Sequence, residues 1–233
     1  MYFDWTYLVL VLPAMIFAMW ASRRVNKTFD KYQTQYSMKG ITGAQAARRI
    51  LDSNGLQNVP IDIITGKLSD HYDPTANVVR LSQGVYNSTS TAAIGVACHE
   101  VGHAIQYATD YPPVKVRMAI IPVTRIGSRL SVPLIIIGLI LGAFSNFFTF
   151  LAYIGIALFA LSTFFQLVTL PVEMNASKRA LQQIQSNGLL YENEMQGVHE
   201  VLNAAALTYV AALAVSLTQL IRFLVLVGRR RRR

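Results

Sequence analysis

The sequence is short of charge, and shortest of acid: 14% of its 233 residues are charged, and only 12 are Asp or Glu. A soluble globular domain carries roughly 25% charged side chains, so this chain lacks the polar surface needed to face water all round. Cysteine is almost absent. Cys98 stands alone, which excludes an internal disulfide framework and leaves the redox compartment unspecified. With 14 Gly and 8 Pro, collagen-like and low-complexity chains are excluded too. There is no internal repeat. Although the net charge is +9, there is no basic stripe interleaved with aromatics, so nucleic acid is not an expected partner. Five positive charges form the run Arg229 to Arg233, and most of the others flank apolar segments, as juxtamembrane charge does.

Apolar residues are abundant, at 53%, and lie in blocks. Such a chain holds one small polar domain and several membrane helices at about 20 residues per span. Trp5 to Trp20 is apolar, with Phe3, Trp5 and Tyr7 at one end and Trp20 at the other, an aromatic belt at both interfaces. The opening Met-Tyr-Phe-Asp carries no cation, so residues 1–22 read as an uncleaved anchor rather than a signal peptide. The block from Leu130 to Leu170 is too long for one span. Its polar break at Ser145-Asn146 predicts a hairpin of two helices, about 130–145 and 148–170. A last apolar block, Val201 to Val227, ends in the Arg run.

Residues 23–129 read as a polar domain. Ile41 to Leu51 carries Ala46, Ala47, Ile50 and Leu51 on one stripe and stops at Asn54-Gly55, which predicts an amphipathic helix. Val59 to Thr65 and Asn77 to Leu81 predict short strands, and Ser69 to Pro74 between them a turn-rich loop. A helix capped near Ser88-Thr89-Ser90 is expected to run to about Tyr107, closed by Pro112-Pro113. The 171–200 stretch predicts a helix with Pro171 in its first turn and Asn187-Gly188 at its end. The fold class expected is α-rich α+β: a minimal domain with short β-strands, fused to about four transmembrane or membrane-associated helices. Its parts are the anchor (1–22), the polar domain (23–129), the hairpin (130–170), a further helix (171–200) and a membrane helix with its Arg-rich tail (201–233).

The chemistry lies in His99-Glu100-Val101-Gly102-His103. Positions four apart share a helix face, so both imidazoles can reach one ion, and Glu100 stands beside it to take a proton from water. With four His and five Glu in the chain, shuffling produces this pattern on the order of one time in a thousand, so the motif outweighs the alternative of two surface histidines. A catalytic zinc needs three protein ligands and an open position. Downstream candidates for the third are Asp110, Glu173, Glu192, Glu194, His199 and Glu200. His103 is followed by Ala-Ile-Gln-Tyr-Ala-Thr-Asp, so a third His at the extended metzincin spacing is absent. A two-helix hairpin would return the chain to the side of His99 at Glu173, whereas one span would separate them. An interfacial acid at a helix N-terminus is the alternative for Glu173. Ser177, one turn on, and Asn175 are candidates to support the ligands by hydrogen bonds. His71, Tyr107 and His199 are candidate oxyanion donors, with ordinary structural roles as the alternative. Cys98 reads as a small buried thiol, and Arg222 as either a functional charge or a side chain reaching for the interface.

These segments resemble the bacterial membrane-bound neutral zinc metallopeptidases of the YugP-like kind. The resemblance rests on Ser69 to Pro74, Val78 to Ser82, His99-Glu100-Val101-Gly102-His103-Ala104-Ile105-Gln106, Pro171 to Ser177 and Val201 to Ala212, and so extends over most of the chain. It implies a membrane-anchored zinc endopeptidase of gluzincin type, with residues 23–129 as a minimal zincin-like catalytic domain, the 171–200 helix completing its site, His99 and His103 as Zn2+ ligands and Glu100 as base. The third ligand is similar in placement to that of the HtpX and CAAX-protease group, where a Glu opens a Glu-x-x-Ala-Asp pattern; here Ser177 stands in place of that Asp. The substrate expected is a peptide or protein, membrane proteins included, and an extended chain could add to a strand edge.

Lys and Arg near the spans cluster at Arg23 to Lys31, Lys115 to Arg129 and Lys178-Arg179. By the positive-inside rule this predicts a multi-pass protein of the cell membrane with its active site cytoplasmic. The Arg229 to Arg233 run opposes that orientation unless the last block turns back or lies in the interface. Two other readings compete. One is an intramembrane, site-2-type protease, opposed by the polar Asn87 to Thr91 stretch just upstream of the motif. The other is a non-catalytic membrane metal-binding or scaffold protein, opposed by the intact Glu100. Nothing in the sequence sets an oligomeric state or a cleavage preference.

Overall fold

The computed structural model describes residues 5–231; Phe3 of the expected aromatic belt and the last two arginines of the terminal run lie outside them. The chain packs as two compact units. One takes the N-terminal stretch to Trp20, Lys115–Leu170 and the chain from Thr208 on; the other is Ala21–Val114 with Pro171–Leu207. The architecture is the expected one: an α-rich chain with one small sheet and four helices long and apolar enough to cross a membrane.

In the first unit a π-helical turn, Tyr7–Val11, leads into α1 (Leu12–Tyr32). The unit also takes most of α5 (Pro112–Leu141), which a four-residue turn joins to α6 (Asn146–Ser186), together with α6 as far as Leu170 and α7 (Glu192–Arg231) from Thr208 on. Small residues set the distance between α5 and α6. A Cβ on Gly138 would stand 2.5 Å from the Phe148 carbonyl oxygen, and one on Gly155 2.7 Å from that of Ser131. The partners run in opposite order along the chain, so the two helices are antiparallel and held at backbone contact, as apolar helices without a hydrophobic drive between them pack. Ile135, Ala152, Ile156, Phe223 and Val227 form a buried cluster. Thr163 and Ser216 share a hydrogen bond of 2.8 Å between α6 and α7. Ile140, Phe150, Leu167 and Leu224 are exposed on the outside of these helices, apolar surface of the kind that membrane helices turn to lipid. Arg222 lies 5.2 Å from the centre of the Tyr7 ring.

The second unit holds the sheet and the motif helix. Thr42 and Gln45 form a capping box that starts α2 (Gly43–Ser53), two orphan N–H groups being satisfied reciprocally. Strands β1 (Ile61–Ile64), β2 (His71–Asp73) and β3 (Val78–Ser82) form a sheet in the order β1-β3-β2. β1 runs parallel to β3; β2 runs antiparallel, with Tyr72 opposite Val79. A short α3 (Gln83–Tyr86) leads to α4 (Thr91–Ala108), whose Ser90 cap accepts from the Ala93 N–H at 3.2 Å. Ile50, Leu51, Val79, Leu81, Ile94, Val101, Ile184 and Leu189 pack into one core.

Four local expectations differ from the structure. The 69–74 stretch is not only a loop: it contains β2, because its aspartates frame a strand. Asp70 accepts from the Ser82 N–H at 2.7 Å, and Asp73 from the Thr75 N–H at 2.9 Å. Pro112 does not close the motif helix but opens the next one, where its missing N–H costs nothing. The break is made before it, at Thr109 and at Asp110, whose φ is 53°. Pro171 does not start a helix, since α6 runs through it, as apolar helices with packed neighbours tolerate. α7 begins at Glu192, well before the last apolar block. The expected stop at Asn187-Gly188 is present, with Gly188 at φ 56° and the Leu189 N–H donating to the Ile184 carbonyl, as a left-handed helix terminus requires.

Candidate metal centre

His99 and His103 lie one turn apart on α4, with ring centroids 4.8 Å from each other. They face the stretch of α6 that follows Pro171, and Glu173 Oε2 lies 3.3 Å from the Nε2 of each. Among the described residues these three form the group of donors that could hold a metal, one ligand atom from each lying within 4.8 Å of the others. All belong to the second unit. Gly102 permits the approach: a Cβ there would stand 2.6 Å from the Ala176 carbonyl oxygen, so any side chain would push Glu173 away from the histidines.

The protons around these groups can be assigned from their neighbours. The Gln106 Nε2 donates to the Val172 carbonyl at 2.7 Å. A carbonyl only accepts, so the Gln106 Oε1 must face the His103 Nδ1, 3.0 Å away, and that nitrogen must carry the hydrogen. In its neutral form His103 then points an Nε2 lone pair at the Glu173 carboxylate, acceptor against acceptor, whereas the protonated ring donates its Nε2–H to that oxygen. Ser177 Oγ lies 3.1 Å from His99 Nδ1, and a hydroxyl can serve either tautomer there. Burial disfavours the protonated form of His103, yet hydrogen bonding to Glu173, the charges of Glu173 and Glu100, and Gln106 together hold its pKa above the ordinary imidazole value. Two imidazole nitrogens and a carboxylate oxygen converging in a nearly buried cluster fit a cation of zinc type, and a three-ligand set leaves one position open.

Glu100 is buried, and its Oε2 accepts the Tyr72 N–H from β2 at 3.0 Å. No protein donor reaches its other oxygen among the described residues. Asp70 stiffens this arm of β2 by taking the Ser82 N–H and hydroxyl. The Tyr72 ring packs on Tyr107, 5.4 Å between centroids, and its hydroxyl donates to Asn77 at 2.7 Å. Burial raises the Tyr72 pKa, so the phenol keeps its proton.

The remaining candidates fall in different places. Asn175 joins the network, its Oδ1 accepting from Gln106 and from Arg179 Nε at 2.8 Å. Tyr107 stands behind Tyr72. His71 is exposed on β2, with Nδ1 against the Ser69 carbonyl and Nε2 at 3.5 Å from Arg80. His199 is exposed on α7, and neither His71 nor His199 enters the three-ligand group. Asp110 and Glu192 are exposed. Glu194 is buried but binds the Met38 and Tyr191 N–H groups, and Glu200 pairs with Lys31. Sequence reasoning passed over Gln106 and the Tyr72 N–H. Gln106 carried a signal, a polar side chain three residues past His103 and therefore on its face. A backbone N–H carries none.

Residues 7–228 match the family described as "Putative neutral zinc metallopeptidase". A relative from Bacillus subtilis (strain 168), described as "Putative membrane protease YugP", is 47% identical over 220 residues, covering 94% of this chain and 96% of its own. No solved structure matches the chain.

Proposed function

The chain belongs to the neutral zinc metallopeptidase family, and from that membership we propose a membrane-anchored endopeptidase in which His99, His103 and Glu173 hold zinc and Glu100 is the general base. The observation that carries the reading is the convergence of the two Nε2 atoms on one Glu173 oxygen at 3.3 Å each, which brings three potential ligand atoms to one point where a cation could be held. Zinc in such a site supplies a water of lowered pKa and polarises a carbonyl.

The chain's own residues do the rest. Glu100, steadied at one oxygen by the Tyr72 N–H, takes a proton from water and passes it to the leaving amine. Tyr72 lies opposite Val79 on the antiparallel pair, and its N–H points away from β3 toward Glu100. In such pairs a residue's N–H and C=O share a side, so the Tyr72 carbonyl is available along the outer edge of β2. An extended substrate peptide laid along that edge meets the base at its scissile bond.

The basic residues near the spans support a multi-pass protein of the cell membrane with this site on the cytoplasmic side. The motif helix α4 is not among the four helices apolar enough to cross a membrane, which favours an anchored over an intramembrane protease. Cleavage of an unfolded protein substrate by full-length protein in detergent tests the activity. Glu100→Gln is expected to keep its zinc and lose at least roughly a hundredfold in cleavage, the scale of lost acid–base catalysis. A Glu100→Gln protein that cleaves like the wild type contradicts the assignment of the base.

A further inference from the structure

Gln106 is fully buried on an apolar helix, and every polar atom of its amide is committed. Oε1 faces the His103 Nδ1, while Nε2 donates to the Val172 carbonyl at 2.7 Å and to Asn175 Oδ1 at 3.0 Å. The orientation is fixed from both ends. The Val172 carbonyl can only accept, and Arg179, which holds the Asn175 Oδ1 from the other side, can only donate. A flipped amide would set two carbonyl oxygens 2.7 Å apart. One side chain therefore touches the neighbour of Glu173 on α6 and the imidazole of His103 on α4. His99 has no such lock, since its Ser177 partner can turn its hydroxyl either way.

We propose that Gln106 is the positioning residue of the metal centre: it holds His103 with its hydrogen on Nδ1 and its Nε2 lone pair toward Glu173, and fixes the turn bearing Glu173 against α4. This rests on the reading of His99, His103 and Glu173 as a zinc site. Outer hydrogen-bond partners of ligating histidines fix tautomer and ring orientation, and their loss weakens metal binding by roughly 10–100-fold. The two ends of the Gln106 amide separate by substitution. Gln106→Met removes all three contacts. Gln106→Glu keeps an acceptor toward the imidazole and loses the donor toward Val172 and Asn175.

The test uses full-length protein in detergent, labelled with 15N-histidine and assigned by single replacements of its four histidines. Two-bond 1H–15N spectra of metal-free protein are recorded at rising pH until the His103 signals stop moving, because its pKa lies above the ordinary imidazole value, and zinc affinity is measured by chelator competition. Wild type is expected to show His103 with its hydrogen on Nδ1. Gln106→Met should give a mixture of tautomers and bind zinc roughly 10–100-fold more weakly. Gln106→Glu should restore the tautomer and recover only part of the affinity. The proposal is overturned if wild-type His103 carries its hydrogen on Nε2, or if Gln106→Met keeps both the tautomer and an affinity within about twofold of wild type, far inside the change expected of such a partner. If Gln106→Met does not fold, the wild-type spectrum decides. A wild type that binds no zinc refutes the metallopeptidase reading instead, and the tautomer spectrum still judges Gln106.

Discussion

Glu194 shows how a buried acid serves the fold rather than the chemistry. Its Oε1 accepts the Met38 N–H at 2.6 Å, and its Oε2 accepts the Tyr191 N–H at 2.8 Å, one half of a capping box at the start of α7. Glu194→Ala would leave two amides without their acceptor and is expected to cost about 1–3 kcal/mol. The loss would appear as a lower unfolding temperature in detergent with zinc stoichiometry unchanged; an unaltered Tm would show that water replaces the carboxylate at no cost. The same residue marks the limit of reading acids from sequence. Glu194 and Glu173 are both acids near a proline or a helix start, and only packing separates a cap from a candidate metal donor. His99, Glu100 and His103 were legible because a spacing of four fixes a shared helix face. The pairing of Gln106 with His103 was legible from the same helical periodicity, but its contact with Val172 and the Tyr72 N–H to Glu100 were not, because those partners lie elsewhere in the chain.

Whether α4 and α6 can bring their donors together depends on one missing side chain. A Cβ at Gly102 would stand 2.6 Å from the Ala176 carbonyl oxygen, and backbone cannot yield as a flexible side chain does. Gly102→Ala is therefore expected to destabilise by about 1–3 kcal/mol through overpacking and to weaken zinc binding as Glu173 is displaced. Gly84→Ala on α3, where a Cβ meets nothing within 4 Å, is the control and should leave both unchanged. Equal zinc affinity in the Gly102 variant would show that the approach is not required. At this scale the sequence was read well where local signals decide, as at the Asn54 end of α2, the Ser90 cap of α4 and the Gly188 terminus. It was read less well at prolines. Pro112 and Pro171 give the same local signal, yet one opens a helix and the other lies inside one, because neighbouring helices decide whether a missing N–H can be borne.

At the scale of the whole molecule, the hairpin argument that singled out Glu173 needs the turn between α5 and α6 to emerge on the side of the membrane opposite to the metal centre. Cysteines introduced at Lys67 and at Ser145 test this, since Cys98 is buried and its thiol pKa is raised by that burial, so it stays protonated and unreactive. An impermeant maleimide is expected to label the two positions from opposite faces of oriented vesicles; labelling of both from one face would contradict the arrangement. The four apolar helices were legible in composition alone. The hairpin also made the return of Glu173 legible, whereas the Tyr72 N–H contact was not, because it depends on how β2 packs against α4.

Zinc affinity by chelator competition, compared between wild type, Glu100→Gln and Glu173→Ala, bears most directly on the three-donor centre. Glu100→Gln should bind as tightly as wild type, whereas Glu173→Ala should bind more weakly by more than the roughly 10–100-fold that follows loss of an outer hydrogen-bond partner. Equal affinity in all three proteins would mean that the metal does not rest on Glu173.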